Sequence, residues 1–327
     1  MGTGDIHKMR VLTRRDVLAL VGVADLIPVI RDAMVSVSAR EVEMPLRQSV
    51  ALPGGNRLGV MPGYLGNPTG YGAKLLSLFP GNPALGRSSH AGLMLLFDTA
   101  TGAPMLCMDA SELTALRTAA ASAVATDALA RTDAGVLAII GAGEQAHAHV
   151  AVMRVVRGIG RMLVWARDAA KAAAFAAAHG GDVAETLEEA VGGADIVCTT
   201  TAAGRAFLRA DMLPAGVHLN AVGASVPSAR ELAPDCITDM RVFTDYRPSL
   251  EAQAGEVIEA RAAGLIGGDH EIIEIGDVLR GAAPGRRSAG ERTLYRSLGV
   301  VAQDLAAAHF VMRLAEERGI GIVVEME

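Results

Sequence analysis

The spacing of apolar and polar positions changes character along this chain, and each change predicts a different kind of structure. The first residues, MGTGDIHKM, carry no period and read as a loose tail or an extended start, with periodicity beginning only near Val11. From Thr13 the stretch TRRDVLALVGVADLIPVIRDAMVSVSA repeats its apolar residues at helical spacing. It predicts a first helix capped by Thr13, a break around Gly22, and a second helix that accepts Pro28 in its first turn. Residues 44 to 110 then switch to strand-like segments, LRQSVAL, RLGVMPGYL, YGAKLLSLF, HAGLMLLFD and APMLCMD, separated by Gly, Pro and Asn. They predict a meandering sheet, the candidate substrate domain.

Leu113 to Ala130 returns to helical spacing and is long enough to bridge two domains, with Arg117 in its first turns. Beyond it MLVWAR, DIVCTTT, VHLNAVG and RVFTD read as successive strands, several of them separated by alanine-rich helices. That alternation predicts a parallel sheet. The closing stretch from Thr293 to Gly319 reads as one long helical segment.

Between these regions lies VLAIIGAGEQA, Val136 to Ala146. A continuous apolar run predicts a strand covered on both faces, and the glycine turn after it opens a helix. Gly141 permits a tight turn, Gly143 lets backbone approach a pyrophosphate, and small Ala146 allows close helix–strand packing; Glu144 and Gln145 complete the turn. The motif predicts a Rossmann unit that binds a dinucleotide. Its position in mid-chain leaves a large N-terminal segment free to hold substrate.

Composition narrows the class. The 327 residues are 51% hydrophobic and 20% charged, yet no uninterrupted apolar run approaches the roughly 18 residues that cross a bilayer. No signal peptide or basic cluster is apparent, so a cytoplasmic protein without membrane contact is expected. A formal charge of −6 and 3% aromatic residues argue against nucleic acid as a partner. Cys107, Cys198 and Cys236 are scattered and read as buried thiols, and the histidines form no metal-ligand array. No metal is expected.

Four cations are candidates for chemistry: Arg47 in MPLRQSV, Lys74 in YGAKLLS, Arg117 in ALRTAA and Arg167 in VWAR. Arg47 and Lys74 fall among apolar neighbours in the predicted sheet, where a cation is costly unless it meets an anion. A substrate carboxylate would supply one, and so would an internal ion pair. Arg167 ends the second Rossmann strand, where an acidic residue would bind the adenosine ribose and an arginine favours a 2′-phosphate. NADP(H) is therefore favoured as cofactor, and Asp168 one position on keeps NAD(H) open.

YGAKLLSLFPGN, SSHAGLMLLFDTATGAPMLCMDASELTALRTAAASAVA, IIGAGEQA, HLNAVGASVP and SLGVVAQDLAAA, in that order, resemble the ornithine cyclodeaminase/mu-crystallin family over nearly the whole chain. The resemblance implies an α/β protein with a Rossmann dinucleotide-binding domain, residues 119–301, inserted into a mixed α+β domain, residues 1–118 plus 302–327. The latter would bind substrate and form a homodimer, its sheet completed by C-terminal residues. By position, Arg47, Lys74 and Arg117 match the residues that grip the substrate carboxylate, with Lys74 also suited to proton transfer. Val222 and Gly223, in the segment from Ala221, match the strand end beside the nicotinamide. Ser297 to Gly299 match the loop over it, and Thr199, Thr200 and Thr201 would border the adenosine side.

One departure separates branches of the family. Cyclodeaminases carry an aspartate where this chain has Ser225, and a hydroxyl cannot serve as that carboxylate base. Ser225 and the pair Ser89 and His90 instead resemble the ketimine reductase and alanine dehydrogenase branch, with His90 a candidate proton carrier. The implied activity is NAD(P)H-dependent reduction of an imino acid. Its substrate would be a cyclic ketimine such as Δ1-pyrroline-2-carboxylate or Δ1-piperideine-2-carboxylate, or an oxo acid with ammonia. The alternatives are ornithine cyclodeamination and a non-catalytic ligand-binding protein of mu-crystallin type.

Overall fold

In the computed structural model, which describes residues 7–326, strand β1 (His7–Leu12) leads directly into helix α1 (Arg14–Leu20). Of the stretch expected as a loose tail or an extended start, His7 to Met9 belong to a strand, while the six residues before them lie outside the described residues. Thr13 starts α1 with a reciprocal cap: its backbone N–H donates to Asp16 at 2.8 Å and its hydroxyl accepts from the Asp16 backbone. Helix α2 (Leu26–Ser38) follows the break, and then come β2 (Val42–Glu43), β3 (Gln48–Ala51), β4 (Arg57–Gly66), β5 (Thr69–Leu78), β6 (His90–Phe97) and β7 (Pro104–Asp109). Every strand-like segment read between residues 44 and 110 falls on one of these strands. Helix α3 (Ala110–Leu129) comes next.

The chain divides into two units, and Thr118–Gly299 forms one of them. Its elements are β8 (Val136–Ile140), α4 (Glu144–Val156), β9 (Arg161–Trp165), α5 (Ala169–His179), β10 (Asp182–Val183), α6 (Leu187–Gly192) and β11 (Ile196–Thr199). They continue through β12 (His218–Ala221), α7 (Asp235–Asp239), β13 (Arg241–Thr244), α8 (Arg247–Gln253), α9 (Gly255–Ala262), β14 (Ile272–Glu274), α10 (Ile275–Leu279) and β15 (Thr293–Arg296). The strands pair in parallel in the order β10-β9-β8-β11-β12-β15-β13-β14. Strand order reverses between β8 and β11, so a crevice opens beyond their carboxyl ends, the usual ligand position in such sheets. Ile139, Ile140, Val197, Leu219 and Leu294 are fully buried in this core.

The expected helix from Thr293 to Gly319 is a misreading of two elements. Thr293–Arg296 is strand β15, paired with β12 on one side and β13 on the other, and the helix starts only at Val301. Thr, Leu and Tyr suit a strand buried on both faces. Gly299, at φ +73°, takes a left-handed conformation that a continuing helix cannot contain.

The other unit joins the residues up to Arg117 with those from Val300 on, where the chain forms α11 (Val301–Arg318) and β16 (Ile322–Met326). Its sheet runs β16-β1-β7-β6-β5-β4-β2, with β3 also along β4. Strands β4 to β7 form an antiparallel meander, β1 joins β7 in parallel, and β16 joins β1 antiparallel. Helices α2 and α11 pack against one face of this sheet. On β5 that face includes Gly70, where an added Cβ would collide with the His309 ring of α11, and Lys74, two strand periods further on. The opposite face carries Val50, Leu58, Tyr64 and Leu93, all exposed, and Tyr71 stacked on Phe97 at 5.7 Å. Among the described residues, no helix is long and apolar enough to cross a membrane.

Candidate active site

Lys74 sits in β5 between Met61 of β4 and Met94 of β6, and all three are buried. Its ammonium Nζ meets Asp304 Oδ1 of α11 at 2.8 Å. Arg117, on α3, reaches the same oxygen with Nε at 2.9 Å and donates from Nη1 to the Gln303 amide oxygen at 2.9 Å. One carboxylate oxygen therefore holds two cations, and the trio keeps a net positive charge. Thr114, one helical turn before Arg117, places its hydroxyl 3.5 Å from Lys74 Nζ.

Burial drives the Lys74 pKa down to about 7, helped by Arg117 and Arg47 and opposed by Asp304. Burial works to raise the pKa of Asp304, but Arg117 and Lys74 outweigh it, and the carboxyl titrates below its ordinary range. Arg47 is half-buried in the extended segment just before β3, a residue short of the strand in which it was expected.

His90 opens β6, and Ser89 lies in the bend just before it. His90 pairs with Leu78 and Lys74 with Met94, so the two face the same side but stand four residues apart along the strands, roughly 13 Å. His90 is exposed, and its Nδ1 lies 2.8 Å from the Ser89 hydroxyl.

In the parallel-sheet unit, Gly141 leaves β8 at φ +117°, with its N–H on the Trp165 carbonyl at 2.9 Å. An added Cβ would stand 2.9 Å from the Thr200 hydroxyl, so only glycine fits this turn. Gly143 is the N-cap of α4 and supplies no side-chain cap, and among the described residues nothing lies within 4 Å of where its Cβ would be. Glu144 and Gln145 form the open first turn, while Ala146 is fully buried against the sheet. A helix start with open space and no capping side chain suits a pyrophosphate.

Arg167 lies just beyond β9, exposed; Asp168 beside it accepts hydrogen bonds from the backbone N–H groups of Ala170 and Lys171, both at 3.1 Å, and so caps α5. At the ends of β11 and β12 a buried carboxylate organises the expected cofactor loops. Glu231 accepts from the Thr199 hydroxyl at 2.8 Å and from the Thr201 backbone, the Thr201 hydroxyl and the Gly223 backbone, each at 2.7 Å. Thr200 donates its N–H to Ile140 at 2.9 Å, and Val222 to Thr199 at 3.0 Å. Burial nevertheless leaves the Glu231 pKa raised, the hydrogen bonds from Thr201 and Thr199 offsetting only part of the desolvation.

The loop from Ser297 to Gly299 is fixed in the same manner. Ser297 donates its N–H to Ala221 at 3.0 Å, and Asp245 accepts from the Leu298 and Gly299 N–H groups at 3.1 and 2.7 Å. Arg296, buried and paired with Glu256, donates to the carbonyls of Ala221, Ala224 and Ser297. Ser225 follows this segment, half-buried.

Sequence reasoning missed Gln303, Asp304, Glu231, Asp245, Arg296 and Glu256. Only Asp245 carried a usable signal, as the carboxylate that closes the expected strand RVFTD, at the end of the sheet where ligands gather.

The family model described as "Ornithine cyclodeaminase/mu-crystallin family" matches residues 7–319. The ketimine reductase mu-crystallin of Mus musculus is 35% identical over 256 residues, 78% of this chain and 79% of its own length. The structure of Thermococcus litoralis Δ(1)-pyrroline-2-carboxylate reductase in complex with NADH and L-proline superposes with a TM-score of 0.92 at 30% identity, covering 96% of this chain and 99% of that one. An archaeal alanine dehydrogenase dimer with bound NAD gives a TM-score of 0.92 at 27% identity, covering 98% and 100%.

Proposed function

The chain belongs to the ornithine cyclodeaminase/mu-crystallin family, and from that premise we infer that it reduces an imino acid to an amino acid with NAD(P)H. The observation that carries this reading is the buried pair Lys74 and Arg117 on a single Asp304 oxygen. Two cations balanced by one carboxylate favour a further anion, and the carboxylate of an imino acid is such an anion.

Arg117 and Arg47 suit gripping that carboxylate, and Lys74 suits proton donation to the imine nitrogen. A lysine that titrates near 7 holds a transferable proton at neutral pH. Protonation makes the C=N carbon electrophilic, and a reduced nicotinamide supplies hydride when bound. Gly141, Gly143 and the open first turn of α4 suit its pyrophosphate. The loops tied by Glu231, Asp245 and Arg296 suit the flanking positions.

Of the two cofactors, NADP(H) fits better. Asp168 is committed to capping α5, and the neighbouring Arg167 is exposed where a 2′-phosphate would come. The apolar, exposed face of the N-terminal sheet supports a homodimer. Ser225 in place of a carboxylate disfavours cyclodeamination, because the carboxylate of Glu231 is already engaged by four donors.

The test is NADPH and NADH oxidation across Δ1-pyrroline-2-carboxylate, Δ1-piperideine-2-carboxylate and oxo acids with ammonia. The parent should oxidise cofactor with at least one of them, and Lys74→Ala and Arg117→Ala should each lose about 100-fold or more in kcat/KM. Ornithine without added cofactor should yield no proline. A silent parent, or variants as active as the parent, overturns the reading.

A further inference from the structure

We propose that Asp304 is a positioning residue for imine reduction: it seats Lys74 and Arg117 side by side on one oxygen and keeps on Lys74 the proton destined for the imine nitrogen. The inference rests on the reading of the site given above.

The geometry is specific. Asp304 is fully buried, and both of its ion-pair contacts use Oδ1, at 2.8 Å from Lys74 Nζ and 2.9 Å from Arg117 Nε. Oδ2 is buried and has no hydrogen-bond partner among the described residues. Here the contacts bring two cations to one point, an arrangement that Coulomb repulsion opposes without the intervening charge.

Among the described residues, few groups face Lys74. Helix α11 contributes Asp304, helix α3 contributes Arg117 and the uncharged Thr114, the segment before β3 contributes the charge of Arg47, and β4 and β6 contribute Met61 and Met94. His309, on α11, lies against Gly70 instead. Among these groups the one negative charge is Asp304. In the proton step, the Lys74 N–H bond breaks as an N–H bond forms on the imine lone pair. Lys74, left neutral, regains a proton from water, and the Asp304 carboxylate stays ionised throughout.

Asp304→Asn keeps the shape and one acceptor oxygen and removes the charge. Because reduction needs protonated Lys74, parent activity falls as pH rises through about 7, the value to which burial brings the lysine. Without the counter-charge Lys74 gives up its proton more readily, so this limb of the kcat/KM profile should move to lower pH by roughly 1 to 3 units. A purely structural residue would lower activity evenly across pH and leave the limb in place, and that result overturns the proposal. Asp304→Glu is the second variant, which keeps the charge and displaces the oxygen. It should retain the parent limb with a reduced kcat, and a limb moved downward in the Glu variant also overturns the proposal. The parent run on the same imines separates the two ideas. A parent with no imine reduction sinks the function and this inference with it, whereas an active parent with an unmoved Asn limb sinks only the role of Asp304.

Discussion

Arg167 and Asp168 are adjacent in sequence and differ in occupation: the aspartate is bound into the first turn of α5, and the arginine is exposed. Replacing Arg167 with Ala should raise the KM for NADPH by about tenfold or more and leave that for NADH within about twofold, since only the former carries the phosphate the guanidinium would pair with. Equal effects on both cofactors, measured by initial rates, would remove Arg167 from cofactor choice. At this scale the cations were legible in the sequence because a lysine among strand-forming apolar residues stands out. Their counter-charge was not. Asp304 lies in the first turns of a helix, where a carboxylate is favoured by the helix dipole and reads as ordinary surface. Glu231 sits in irregular chain, where no period distinguishes a buried carboxylate from a solvated one.

At the scale of elements, the antiparallel meander and most strands of the parallel sheet followed from period and punctuation. Strand β15 did not. Thr293 to Arg296 holds four residues, too few to establish a period, and the apolar residues after Gly299 continue at helical spacing. Its place in the sheet comes from pairing with β12 and β13, partners separated from it by about 70 and 50 residues, and local pattern carries no trace of such pairings. Because Leu294 is fully buried between those strands, Leu294→Ala should cost about 2–5 kcal/mol, read as a lowered urea midpoint with an unchanged slope. A loss within ~0.5 kcal/mol, the usual size for a surface change, would mean that β15 is not central.

For the molecule as a whole, the face of the N-terminal sheet opposite α2 and α11 leaves Val50 at 53%, Leu93 at 46% and Ile322 at 65% exposure. Leu93→Asp puts a charge in the middle strands of that face. Light scattering should find the parent as a dimer and this variant shifted toward monomer, with imine reduction falling only as far as dimerisation supports it; a monomeric parent at micromolar concentration contradicts the expectation. The same unit also has a history written into its connectivity. Lys74 meets its counter-charge 230 residues later in the chain. While a ribosome adds about 5–20 residues per second, the strands carrying the buried lysine wait roughly 10–50 s for the helix that neutralises it. Until then their core cannot close around Lys74 without stranding a charge. The contiguous parallel-sheet unit, Thr118–Gly299, carries no such dependence, so newly made protein should complete that fold before the unit split between the two ends of the chain.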